Sequence, residues 1–207
     1  MHGPLHPTNG EADTHYRILQ AALDEFSHNG YKGSSTRVIA DRAGVNEVTL
    51  FRHFGSKLEL LRAAVEDAVQ RLQVPSEIDT YLSMSFREGF GKFISDYLMQ
   101  LSTQSDILML GFAESFTHPQ VAEVLKRFMW KIRSVLLEYF TELHRLGRMR
   151  EADLPVLTQM VMALIHGTPA MRKRAPTEVT SDLTDVRIVS TLVETVVSAY
   201  SLEKEGS

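Results

Sequence analysis

Between Ser34 and Lys57 the chain reads SSTRVIADRAGVNEVTLFRHFGSK, and this stretch constrains the fold more than any other. The hydroxyls of Ser34, Ser35 and Thr36 offer an N-terminal cap. Val38, Ile39 and Ala43 supply an inward face for a short helix that stops at Gly44, the residue best suited to a left-handed C-cap. Asn46 offers a second cap, and Leu50 with Phe54 forms an i, i+4 apolar pair able to fold back on Ile39 and Ala40. Two helices, a tight turn and a shared apolar side predict a helix-turn-helix. The outer face of its second helix carries Glu47, Val48, Thr49, Arg52 and His53, with Lys57 just beyond. An α-helix fits the DNA major groove, where Arg reads guanine, a carboxylate accepts from cytosine and small apolar groups touch the thymine methyl. From Lys32 to Lys57 there are five Lys or Arg against two acids, in a chain whose formal net charge is −4. Positive charge is thus concentrated where phosphate would lie. The plainer alternative is a helical hairpin with a solvated polar face.

The runs ILQAALDEFSHNGY, STRVIADRAGV and TLFRHFGSKLELL, spread from Ile18 to Leu61, together resemble the N-terminal domain of the tetracycline-repressor (TetR) family of transcriptional regulators. The element Ala43-Gly44-Val45, then Thr49-Leu50-Phe51-Arg52-His53-Phe54 and Lys57, carries most of that resemblance. It implies a homodimer that binds double-stranded DNA. In the family the aromatic after Leu50 is usually Tyr, whose hydroxyl contacts DNA; Phe51 offers only its ring. Arg37 matches a place where family members reach a base, so it is expected to pair with guanine. Glu47 and Val48 are expected to read bases, and Thr36, Thr49, His53 and Lys57 to hold phosphates. For Arg37 and Glu47 the alternative is mutual pairing on the surface.

The chain has 207 residues, 43% hydrophobic and 23% charged, enough to bury a core of one large domain or of a small one joined to a larger one. It has no cysteine, which excludes disulfides and thiolate metal sites and fits a reducing compartment. The richest apolar stretch, Ile107 to Ala113, is far short of a membrane span, and MHGPLHPTNG has neither the basic nor the apolar region of a signal peptide. A cytoplasmic protein follows, with a disordered arm over residues 1–12.

An all-α fold is expected throughout: a DNA-binding domain over 13–73 that includes a linking fourth helix, then a larger helical bundle over 74–207 for ligand sensing and dimerisation. Asp13 to Asn29 follows helical spacing and closes at Asn29-Gly30; Ser56 caps the fourth helix, which runs to about Gln73. Further helices are expected at about Ser83–Ser102, Asp106–Phe116, Pro119–Leu146, Asp153–His166 and Asp182–Tyr200. Thr168–Ser181, with two prolines and the basic Arg172-Lys173-Arg174, reads as a loop. Gly147-Arg148-Met149-Arg150-Glu151-Ala152-Asp153 is similar to the family's turn after the long helix. Steps of three and four along Val186, Val189, Val193, Val196 and Tyr200, with Leu157 and Val161 on the preceding helix, predict a four-helix dimer interface and hence a palindromic operator.

The middle helices are soft and aromatic. Phe90, Met109, Phe112, Phe116, Met129 and Trp130 suit a small, largely apolar effector, with Glu114, Arg133 and His166 as candidate polar partners; ordinary core is the alternative. Enzyme motifs are scarce. One Glu-x-x-His spacing, Glu25 to His28, stands alone where a di-iron site needs two, and no phosphate or dinucleotide loop and no His-Glu-x-x-His follows. The reading is a DNA-binding regulator, a repressor released by its ligand, with no cofactor and no metal. Two others stay open: an all-α enzyme or ligand-binding protein with an incidental helix-turn-helix, and a DNA-binding dimer whose C-terminal domain has no ligand.

Overall fold

A computed structural model describes residues 9–75, 77–174 and 184–203. Among these residues there are ten helices and no strand: α1 (Asn9–Gly33), α2 (Thr36–Arg42), α3 (Glu47–Phe54), α4 (Lys57–Arg71), α5 (Ile78–Leu82), α6 (Phe86–Thr103), α7 (Ser105–Ser115), α8 (Pro119–Arg145), α9 (Leu154–Arg174) and α10 (Asp185–Tyr200). The chain divides into two compact units, Met1–Arg71 with Asp106–Lys126, and Leu72–Ser105 with Arg127–Ser207. The division expected near residue 73 falls close to the end of α4, but the first unit also takes in α7 and the first turns of α8. The disordered arm expected over 1–12 is corrected in part. Residues 1–8 lie outside the described residues, whereas α1 has begun by Asn9.

In the first unit α1 packs against α2 and α4, and breaks at Gly30, whose φ of 67° an L side chain rarely adopts. Ile18, Ala22, Phe26, Ile39, Leu50, Leu60, Leu61 and Val65 form its core. One expectation fails here: Val38 is exposed, because α2 turns about 100° per residue and its inward side is already set by Ile39, Ala40 and Ala43. α7 reaches α4 where residue 111 has no side chain. A Cβ on Gly111 would stand 3.0 and 3.1 Å from the two Val65 methyls.

In the second unit Ser85 and Glu88 form a reciprocal capping box that starts α6, and α6 packs against α5 and α10. Phe86, Phe90, Phe93, Tyr97, Ile132, Leu136, Tyr139 and Phe140 fill its core. Gly89 is a close-packing position, since a Cβ there would collide with the Tyr81 carbonyl oxygen and lie 2.9 Å from the Tyr139 hydroxyl. The turn after α8 is fastened by Arg148. Its guanidinium donates to the Leu82 carbonyl at 2.6 Å, to the Met84 carbonyl and to Glu203, and Glu203 in turn accepts from the Phe86 amide at 2.6 Å. α5 has no counterpart in the expected helices. The loop expected from Thr168 is corrected up to Arg174, where α9 ends; Ala170 to Arg174 are strong helix formers, which outweigh the single Pro169. Residues 175–183 lie outside the described residues.

Candidate nucleic-acid interface

α2 and α3 are joined by a turn whose geometry the sequence dictates. The Gly44 amide donates to Asp41 at 3.1 Å and the Val45 amide to Ala40 at 3.0 Å, the paired bonds of a Schellman cap around Gly44 at φ 67°. The Asn46 side chain then accepts from the Thr49 amide at 2.8 Å and starts α3. Leu50 and Phe54 are buried and hold α3 on the unit. The opposite side of α3 is left to solvent: Val48, Phe51 and Arg52 are exposed, and so is Arg37 from α2. Arg37 and Arg52 make no hydrogen bond or ion pair among the described residues. Two guanidiniums, one ring and one branched apolar group therefore face water on the two helices of the motif.

A model describing bacterial regulatory proteins of the tetR family matches residues 18–64, which run from within α1 through α2 and α3 into α4. Residues 18–64 thus form a helix-turn-helix domain of the tetR family. The HTH-type transcriptional regulator UidR of Escherichia coli is 25% identical over 162 residues, covering 76% of this chain and 80% of that protein. In fold, a TetR-family transcriptional regulator from Mesorhizobium loti aligns with a TM-score of 0.71 at 19% identity, over 95% of this chain and 100% of that one. A transcriptional regulator from Saccharomonospora viridis, solved in complex with choline, aligns at 0.76 and 17% identity, over 93% and 100%. The protein is a transcriptional regulator of the helix-turn-helix type, and regulators with a tetR-family domain bind DNA and act as dimers.

Within this domain the remaining DNA candidates have partners of their own. Thr36 Oγ1 donates to Glu47 Oε1 at 2.7 Å, so Glu47 pairs across the turn with Thr36 and not with Arg37. Lys57 Nζ donates to the Ser34 carbonyl at 2.6 Å and stands 4.9 Å from the Tyr31 ring centroid. Thr36 and Lys57, expected to hold phosphates, thus each have an internal partner in the free protein. His53 is half-buried, 6.1 Å from the His15 ring, which itself lies 4.4 Å from the Phe54 ring. Burial, and then the neighbouring His53, push the His15 pKa down. His15, Tyr31, Arg17 and Glu25 all bear on this surface from α1 and were missed in the sequence. No local pattern marks them, because their partners in the helix-turn-helix are 26 or more residues away or, for Glu25, on the next helix.

The effector candidates fall in both units. In the first unit Met109, Phe112 and Glu114 are half-buried, with Glu114 3.4 Å from His118 Nε2, but Phe116 is 90% exposed. In the second unit Phe90 is core, 6.1 and 5.5 Å from the Phe86 and Phe140 rings. Trp130 is 61% exposed with the Arg133 guanidinium 5.7 Å from its ring, and Met129 is half-buried. His166 Nδ1 donates to the Met162 carbonyl at 2.8 Å, leaving Nε2 to accept the Tyr97 hydroxyl at 2.8 Å; burial pushes the His166 pKa down. Phe116 and Trp130 are thus surface residues and Phe90 a packing residue. Hydrophobicity alone could not separate these outcomes.

Most of the dimer candidates are covered within the single protomer. Leu157, Val161, Val193 and Val196 are buried inside their own protomer, Val189 and Tyr200 are half-buried, and only Val186 stands out in solvent. The exposed apolar stripe on α9 is Val156, Met160 and Leu164, spaced by four.

Proposed function

We propose that this regulator is a repressor that holds a palindromic operator as a homodimer, with α3 of each protomer in a major groove, and lets go when a small, largely apolar molecule binds. The observation that carries the DNA part is the solvent-facing set of Arg37, Val48, Phe51 and Arg52 on a helix pair whose other side is fully packed. Arg37 and Arg52 suit guanine, Val48 the thymine methyl, and the Phe51 ring the sugar-phosphate edge. Glu47, Thr36, Thr49, His53 and Lys57 border that set and contact phosphate or adjoining bases after exchanging their internal partners. The α9 stripe Val156-Met160-Leu164 fits burial against its two-fold copy, which would space the two reading heads for symmetric half-sites.

Release is supported by the packing of α7 on α4. Met109, Phe112 and Glu114 share α7 with Gly111, and Gly111 leaves the Val65 methyls of α4 no spare room. A ligand that moved α7 would press on α4, the helix that follows directly from α3, and its preference for the displaced state would set the degree of induction. The test is a thermal-shift screen of apolar and cationic compounds, with the quaternary ammonium class included because a neighbour in fold was solved with choline. Hits are then assayed for operator release on the wild type, Phe112→Ala and Glu114→Gln. Release that is weakened by either substitution supports this reading. Release that is unchanged on both moves the effector site elsewhere, and a screen without hits favours a dimer that has no small-molecule effector.

A further inference from the structure

We infer that Glu25 and Arg17, both on α1, are positioning residues for DNA reading: they grip α2 at its two ends and so set the angle at which α3 is presented. α2 has only seven residues, too few to hold a helical conformation alone. Its own capping is deficient at the start. Ser35, the N-cap, makes no side-chain cap bond, and the third helical position, where a capping box would place Glu or Gln, is Val38. Glu25 supplies the missing acceptor from another helix, its Oε1 taking the Ser35 amide at 3.4 Å. Its Oε2 lies 3.2 Å from the Arg42 guanidinium in the last turn of α2, near enough for charge though out of line for a hydrogen bond. Ser34 Oγ adds a bond to the Glu25 carbonyl at 3.1 Å.

At the other end Arg17 Nη1 donates to the Ala43 carbonyl at 2.7 Å, the C-cap of α2 and the first residue of the turn into α3. Arg17 is itself held by Asp13 at 3.1 Å. A carboxylate thus meets the amide end of α2 and a guanidinium its carbonyl end, the charge order that a helix dipole favours. Glu25 is 3% exposed. A buried carboxylate with one imperfect ion pair contributes little to stability and is better understood as fixing one arrangement among several. His28 plays no part, since its Nδ1 bonds to the Asp24 carbonyl at 2.7 Å.

This inference rests on DNA reading by α3, and the test separates the two. A duplex enriched from a random library by the wild-type chain and a scrambled duplex of equal length are titrated at one salt concentration with the full-length wild type, Glu25→Leu, Glu25→Gln and Arg17→Gln. Misalignment of even one bidentate base contact lowers the ratio of the two affinities about fivefold or more, so Glu25→Leu and Arg17→Gln are expected to lose that much. Their affinity for the scrambled duplex should stay within about twofold, because phosphate contacts tolerate small rotations. Glu25→Gln keeps the acceptor for Ser35 and should lie between. Ratios unchanged in folded variants, or both affinities falling together, would overturn the inference. If Glu25→Leu fails to fold, Glu25→Gln and Arg17→Gln decide. If the wild type prefers no duplex, the DNA reading fails first, and the clamp is judged by amide exchange: faster exchange over Thr36–Ala43 in Glu25→Gln and Arg17→Gln supports it, and unchanged exchange sinks it.

Discussion

Replacing Met160 and Leu164 on α9 with Glu should convert the dimer to folded monomers. Val156, Met160 and Leu164 are 52, 60 and 52% exposed in the single protomer. Full burial of such a side chain is worth about 1.5–3 kcal/mol, so covering the exposed half contributes about 1 kcal/mol each, or about 6 kcal/mol from both protomers. The double substitution removes four of those six contributions, at least about 4 kcal/mol, which is about a thousandfold in dimer Kd before any charge repulsion is added. Sedimentation velocity from nanomolar to tens of micromolar reads that change, with circular dichroism to confirm intact helices. A variant dimer within tenfold of the wild-type Kd would refute the placement of the interface. Val193→Glu with Val196→Glu gives the contrast. Both valines are buried in their own protomer, so charges there should unfold the chain and not merely separate it.

Other consequences follow from single contacts. Gly89→Ala puts a methyl against the Tyr81 carbonyl and should cost about 1–3 kcal/mol, lowering the melting temperature by several degrees; an unchanged melting curve would deny that close approach. His166 is held neutral by burial, so the folded chain resists a proton that the unfolded chain accepts. Stability is therefore full above the ordinary value of 6.5 and falls as the pH drops through it. His166→Phe should flatten the loss of melting temperature between neutral and mildly acid buffer, and an equally steep loss would contradict this. Lys57→Gln should weaken operator and scrambled DNA alike and reduce the salt slope by about 1; a selective loss on the operator would make Lys57 a base reader.

The helix-turn-helix was legible because its signals are local. Asn46 caps α3 and Gly44 turns the chain where the residues alone place them, and Leu50 and Phe54 lie inward at their i, i+4 spacing. α5 was missed because five residues are too few to show a period, and α9 was cut short because Pro169 and three consecutive cations masked a run of strong helix formers. Amphipathic spacing identified α9 and α10 but not which apolar side meets solvent. Leu157 and Val161 face inward, and Val156, Met160 and Leu164, one residue away in phase, face out. The grip of Glu25 and Arg17 on α2 was invisible for a similar reason: both are ordinary helix-surface residues until α2 is laid across them.

The most direct measurement is the affinity of the wild type, Arg37→Ala and Arg52→Ala for a library-enriched duplex and for its scrambled counterpart across a salt series. The wild type should prefer the enriched duplex by about a thousandfold or more, with two symmetric half-sites in its sequence. Each Arg substitution should cost about 1–3 kcal/mol on that duplex and relax one position per half-site, with little change on the scrambled one. Equal binding to all sequences by the wild type, or equal losses on both duplexes in the variants, would contradict the assignment of this surface to reading DNA.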